Sequence, residues 1–191
     1  MHLTNVQKYS KMIALELGYS ESDAEILGDA ASLHDVGKTM IPSNILNKPG
    51  KLTPEEYEIM KTHTTEGARL IDSFCNPNEV DVMAITAYDI ALHHHERYDG
   101  KGYPDGLKGS EIPIEAQVVS LSDVYDALTS ERCYKKAFTH DKAIEMIING
   151  ECGKFNPDLI ECLKNVEADF QQILKNQNYT KLKNYKLERA N

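Results

Sequence analysis

The sequence predicts an all-α bundle of helices that carries one long ordered loop. Apolar residues recur every three or four positions through most of the 191 residues, the period of a helix with one buried face. Several alternating apolar and polar runs bounded by turns would signal a sheet, and none is found. Residues 97–113 hold Gly100, Gly102, Pro104, Gly106, Gly109 and Pro113, too many helix breakers for anything but a loop. Loops of that length are uncommon in compact domains and often functional.

The elements follow in order. Val6, Tyr9, Ile13 and Leu17 make one apolar stripe that ends at Gly18. Ser20 or Ser22 can cap a second helix through Ala24, Leu27, Ala31 and Leu33, with His34 and Asp35 near its end and Gly37 helping to stop it. Residues 42–53 read as a loop with a Pro49-Gly50 turn. Thr53-Pro54-Glu55-Glu56 is a strong helix start, and that helix should include His63 and run to about residue 73. A further helix is expected from about residue 79 to His95. Residues 114–128 should be helical, Thr139 should cap the helix 141–148, and Asn156-Pro157 should start another. A last helix is expected from about Val166 through Phe170 and Ile173. We read residues 1–165 as one domain, and residues 166–191 as its C-terminal helix and basic polar tail.

Composition narrows the function. A formal charge of −9 disfavours a general DNA or RNA binder, which would present a basic surface. The tail is a local exception, with four Lys and one Arg against one Glu over residues 175–191, which reads as a solvated helix end. No apolar run approaches the ~18 residues of a membrane helix, and the start resembles no signal or transit peptide. Cys75, Cys133, Cys152 and Cys162 lack Cys-x-x-Cys spacing and read as reduced thiols. These features point to a cytoplasmic protein.

Two segments concentrate chemistry: His34-Asp35-Val36-Gly37-Lys38, and His93-His94-His95-Glu96 running into Asp99-Gly100-Lys101-Gly102-Tyr103-Pro104. Imidazole and carboxylate groups bind divalent metals, while a lysine and a glycine-rich loop suit a phosphate ester. Helix neighbours point about 100° apart, so His34 with Asp35, and His94 with His95, can reach one site from two directions. Three adjacent histidines cannot all face one pocket, so His93 is not expected to be a ligand. A carboxylate can bridge two cations, which makes Asp35 the natural bridge of a two-metal site. Asp123 interrupts an apolar helix face and is the best further carboxylate ligand. Asp126, one turn on, can orient a ligand histidine from behind. Taken alone, His2 and His63 read as surface or hydrogen-bonded residues, and Arg132 and Lys135 as a solvated basic turn. Glu96 reads either as a partner of a ligand histidine or as a helix-end carboxylate.

These motifs, with Asp123-x-x-Asp126-Ala127-Leu128-Thr129-Ser130, resemble the HD-GYP family of bacterial cyclic di-GMP phosphodiesterases over roughly residues 2–163. The first motif alone would mark only the wider HD phosphohydrolase superfamily. The resemblance implies an HD-type bundle with the Gly-Tyr-Pro loop. It makes His34, Asp35, His63, His94, His95 and Asp123 metal ligands, and His2 a further one. It pairs Lys38 with the scissile phosphate and makes Lys38, Tyr103, Arg132 and Lys135 substrate-binding residues. Arg and Lys suit phosphate or a guanine edge, and Tyr can stack or donate a hydrogen bond.

The family's three-metal members carry a glutamate four residues before the position of His2, which these residues do not include, so two metals are expected. Iron or manganese is implied, with zinc as the third candidate. The expected activity is hydrolysis of cyclic di-GMP to linear pGpG and onward to GMP, with a metal-bridging hydroxide attacking phosphorus and Asp35 and Lys38 as catalytic residues. The alternatives are another cyclic dinucleotide or a mononucleotide as substrate, or a non-catalytic cyclic di-GMP sensor. A homodimer or a signalling-protein partner is left open.

Overall fold

The computed structural model describes residues 2–76, 78–131 and 136–188, with side chains described up to residue 176. Helices α1 (His2–Glu16), α2 (Glu21–Ala31) and α3 (Ser43–Leu46) are followed by α4 (Pro54–Lys61), α5 (His63–Phe74) and α6 (Val82–His93). After the long loop come α7 (Ile114–Thr129), α8 (His140–Ile148) and α9 (Pro157–Glu188). Among the described residues there is no strand, only an isolated antiparallel bridge between Asp99 and Lys108 inside the loop. None of the described helices is long and apolar enough to cross a membrane.

Local chemistry starts these helices where the sequence indicates. Ser20 Oγ accepts the N–H of Asp23 at 3.1 Å, and Thr53 with Glu56 forms a reciprocal capping box on α4. Thr139 caps α8 through the N–H of Lys142. α7 runs through the middle of the core and is buried nearly all round, with Val118, Val119, Leu121 and Tyr125 inaccessible to solvent. Its Tyr125 packs edge-on to Tyr9 of α1 at 5.0 Å and against Phe170 of α9 at 4.9 Å. Each such fully buried ring contributes roughly 1.5–3 kcal/mol through removal of apolar surface from water. This aromatic knot holds α1 and α9 against α7, which fixes the direction of the His2 end of α1.

Several boundaries differ from expectation. The helix predicted over 54–73 is two helices, because Thr62 turns its hydroxyl back onto the carbonyl of Ile59 at 2.7 Å and α5 restarts at His63. α6 starts at Val82 rather than 79 because Asp81 caps it through the N–H of Ala84, and it ends at His93. The segment 42–53 contains the short α3. The two helices expected after Asn156 are one, since the buried stripe Leu159, Leu163, Val166 and Phe170 continues without a break. Cys75, Cys152 and Cys162 form no disulfide.

Candidate metal centre

Five segments deliver polar side chains to one place. α2 ends at Ala31, so His34 and Asp35 sit beyond the helix rather than on it. His34 is wholly buried in the following turn, and Asp35 opens a 3-10 turn over Val36–Met40. His63 is the first residue of α5, and His94 caps the end of α6 with His95 just after it. α1 contributes His2 and Asn5, and α7 contributes Asp123 and Asp126.

The helix-end positions decide which nitrogen each histidine offers. His34 Nδ1 lies 2.8 Å from the carbonyl of Ala31, His63 Nδ1 2.7 Å from that of Met60, and His94 Nδ1 2.9 Å from that of Ile90. A carbonyl only accepts, so each Nδ1 carries the hydrogen, and in the neutral ring each Nε2 keeps its lone pair. Those three Nε2 atoms face inward. The same local device, a histidine reaching back three or four residues to a backbone carbonyl near a helix end, serves all three.

Asp35 stands in the middle. One of its oxygens is 3.5 Å from His63 Nε2 and 3.9 Å from His94 Nε2, while the other is 3.3 Å from His34 Nε2 and 2.5 Å from Lys38 Nζ. Two groups of donor atoms result, each within 4.8 Å: Asp35, His63, His94 and His95 on one side, and His2, His34 and Asp35 on the other. Asp123 adjoins the second group, 3.4 Å from His2 Nε2 and 4.0 Å from His34 Nε2. Buried His34 Nε2 and Asp35 Oδ1 have no hydrogen-bond partner. Unpartnered buried donors of this chemistry fit a divalent cation.

Electrostatics agree with that fit. Burial lowers the pKa of His63, and burial with neighbouring imidazoles lowers that of His94 far more. Burial, with His63 and Arg97 nearby, pushes His95 down to about 3. These rings are therefore neutral at pH 7, the form that binds metal. Burial alone would favour neutral Asp35, but His34 and Lys38 outweigh it and hold the carboxylate ionised far below its usual range. Burial likewise opposes charge on His34, yet Asp35 and Asp123 raise its pKa. The pocket asks for positive charge beside Asp35.

Behind His2, buried Asp126 accepts the amide of Asn5 at 2.6 Å and lies 2.7 Å from His2 Nδ1. Asn5 was missed in the sequence, although a polar residue three places after His2 on the buried stripe of α1 is a signal. Removing the Asp126 carboxylate leaves that amide and imidazole without their acceptor. Asp126→Ala should therefore cost roughly 1–3 kcal/mol in urea unfolding.

At the mouth, the half-buried ring of Tyr103 stacks on His95 with centroids 4.8 Å apart, and burial raises its phenol so that it stays a donor. Lys61 and Tyr57 flank it. Neither was foreseen, because α4 reads as an ordinary surface helix. Glu96 does not touch a histidine at the centre. Its Oε1 accepts the backbone N–H groups of Asp105 at 2.8 Å and Gly106 at 3.0 Å, folding the Gly-Tyr-Pro loop onto the end of α6. Gly102 allows that approach, since a Cβ there would lie 2.3 Å from Glu96 Cα. Arg132 and Lys135 lie outside the described residues.

Fold and centre together define a class, helical domains of the HD type. A family model described as "HD domain" matches residues 2–159, and the chain belongs to the HD domain family, in its HD-GYP branch. It is 43% identical, over 90% of its length and 44% of the relative's, to the "Cyclic di-GMP phosphodiesterase response regulator RpfG" of Xanthomonas campestris. It is 38% identical to a "3'3'-cGAMP-specific phosphodiesterase 2" of Vibrio cholerae, over 85% of this chain and 30% of that one. The chain thus spans less than half the length of these relatives. Among solved structures, "Bd1817, a HDG"Y"P protein from Bdellovibrio bacteriovorus" superposes with a TM-score of 0.66 at 25% identity, over 91% of this chain and 51% of that one.

Proposed function

We propose that this chain hydrolyses a cyclic dinucleotide, cyclic di-GMP first among them, to linear pGpG and onward to GMP. The observation that carries the reading is Asp35 shared between two donor groups, one on each side of its carboxylate. Relatives named for cyclic di-GMP hydrolysis, 38–43% identical, supply the substrate class. His63, His94, His95 and Asp35 would hold one cation, and His2, His34, Asp35 and Asp123 a second, with iron or manganese favoured over zinc. Bound there, the pair would supply Lewis acidity at the phosphoryl oxygens and an activated water at neutral pH.

The chain's own groups do the rest. Lys38, part-exposed with its ammonium 2.5 Å from Asp35, would stand beside a phosphate bound there and offset charge that develops in the transition state. Tyr103 offers a ring face and a protonated hydroxyl next to His95. Arg132 and Lys135 are assigned to guanine and phosphate contacts through the motif. Relatives named for 3'3'-cGAMP favour one second reading, a hybrid cyclic dinucleotide as preferred substrate.

The test is a panel of cyclic di-GMP, 3'3'-cGAMP, cyclic di-AMP and a cyclic mononucleotide, assayed on reduced, metal-replete protein. We expect kcat/KM for cyclic di-GMP at least about tenfold above the others. Indifference to guanine overturns the substrate assignment, and tight binding without turnover overturns the enzyme in favour of the sensor.

A further inference from the structure

We propose a second cation site, separate from the centre, formed by His93, Glu96 and Asp105 and taking a first-row divalent ion such as Mn2+. His93 is the member of the histidine triplet left out of both donor groups around Asp35. It joins a different cluster: one donor atom each from His93, Glu96 and Asp105 lies within 4.8 Å of the other two. Ligands at about 2.0–2.2 Å from one ion stand roughly 3–4.5 Å apart, so the cluster needs only a small contraction to form a coordination shell.

Two buried atoms are left without partners at this place. Glu96 is only 3% exposed, and while its Oε1 takes two loop amides, its Oε2 takes nothing. His93 Nδ1 is buried and also takes nothing. Its nearest ionic partner is the Asp105 carboxylate at 3.8 Å, beyond hydrogen-bond length. A buried ionised oxygen left unsatisfied is costly, and a neighbouring cation removes that cost. Asp89, one turn before His93, adds a third carboxylate to the neighbourhood. One nitrogen and two carboxylate oxygens suit manganese, iron or zinc better than calcium.

The site has a mechanical consequence. Asp105 directly follows Tyr103-Pro104, and His93 is the last residue of α6. An ion between them clamps the Gly-Tyr-Pro loop to the end of α6, just before His94, and so sets the Tyr103 ring against His95.

The test counts bound manganese by equilibrium dialysis after chelator treatment of the full chain. Asp105→Asn and His93→Gln should each lose about one equivalent. The same difference should appear in an Asp35→Ala background, where the centre's own metal is impaired. Asp105 contributes its backbone amide to Glu96 and has a side chain 56% exposed, so Asp105→Asn keeps the loop closed. In the Asp35→Ala protein, manganese should slow amide hydrogen exchange over residues 99–109 by about tenfold, and adding Asp105→Asn should abolish the effect. Unchanged manganese stoichiometry in both variants overturns the site and leaves His93 with no more than its 3.8 Å approach to Asp105. That failure would not touch the hydrolase reading, which rests on other residues and another assay.

Discussion

Asp35→Ala is expected to lower cyclic di-GMP turnover by about 10^3-fold or more, and metal content should fall with it. Among the described residues no other side chain belongs to both donor groups, so its loss removes the shared carboxylate and leaves His34, His63 and His94 turned toward an emptied position. Asp35→Asn separates charge from shape: it retains the volume, forfeits the negative charge, and should be nearly as inactive. Single-turnover assays paired with elemental analysis check both variants. Full activity with full metal content in Asp35→Ala would remove the central role of this residue. The helical far-ultraviolet signal should persist, because the core around Tyr9, Tyr125 and Phe170 does not depend on Asp35.

Gly37→Ala should be the most damaging single methyl group in the chain. A Cβ at Gly37 would lie 2.0 Å from the carbonyl oxygen of His63, 2.4 Å from the nitrogen of Gly67 and 2.8 Å from its Cα. All three are backbone atoms, so no side chain can rotate away. The 3-10 turn after Asp35 and helix α5 must separate, which pulls His63 from Asp35. We expect a loss of about 3 kcal/mol or more in urea unfolding, together with weakened metal binding. Gly67→Ala is the internal control. Its Cβ would meet Gly37 at 3.2 Å and the Ala91 methyl at 3.5 Å, so a loss of about 1 kcal/mol is expected. Equal stability of Gly37→Ala and the parent would show that the turn does not bear on α5 as described.

Past the last apolar position of α2, Gly37 reads in the sequence as a helix stop, a local role with a local signal. Its larger role is to let two backbones touch, and nothing in residues 33–38 reports on α5. Helix existence was legible nearly throughout, because period and caps are local. Boundaries shifted where a side chain competed for the backbone, at Thr62 and Asp81. In the sequence the final helix looks divided because its polar residues mask a continuous stripe.

By itself the sequence determined the helical class, the elements, and the inventory of imidazole and carboxylate groups with the motifs that hold them. Tertiary structure alone decided how that inventory is divided. It put Asp35 between two donor groups, placed His93 in a separate group with Glu96 and Asp105, and brought Glu96 onto the loop amides. It also gave His2 a brace in Asp126, 124 residues away. The physical reason is distance along the chain. Periodicity and capping act over a few residues, whereas donor atoms 3–4 Å apart are brought together by packing of α1, α2, α5, α6 and α7, whose angles depend on the whole core.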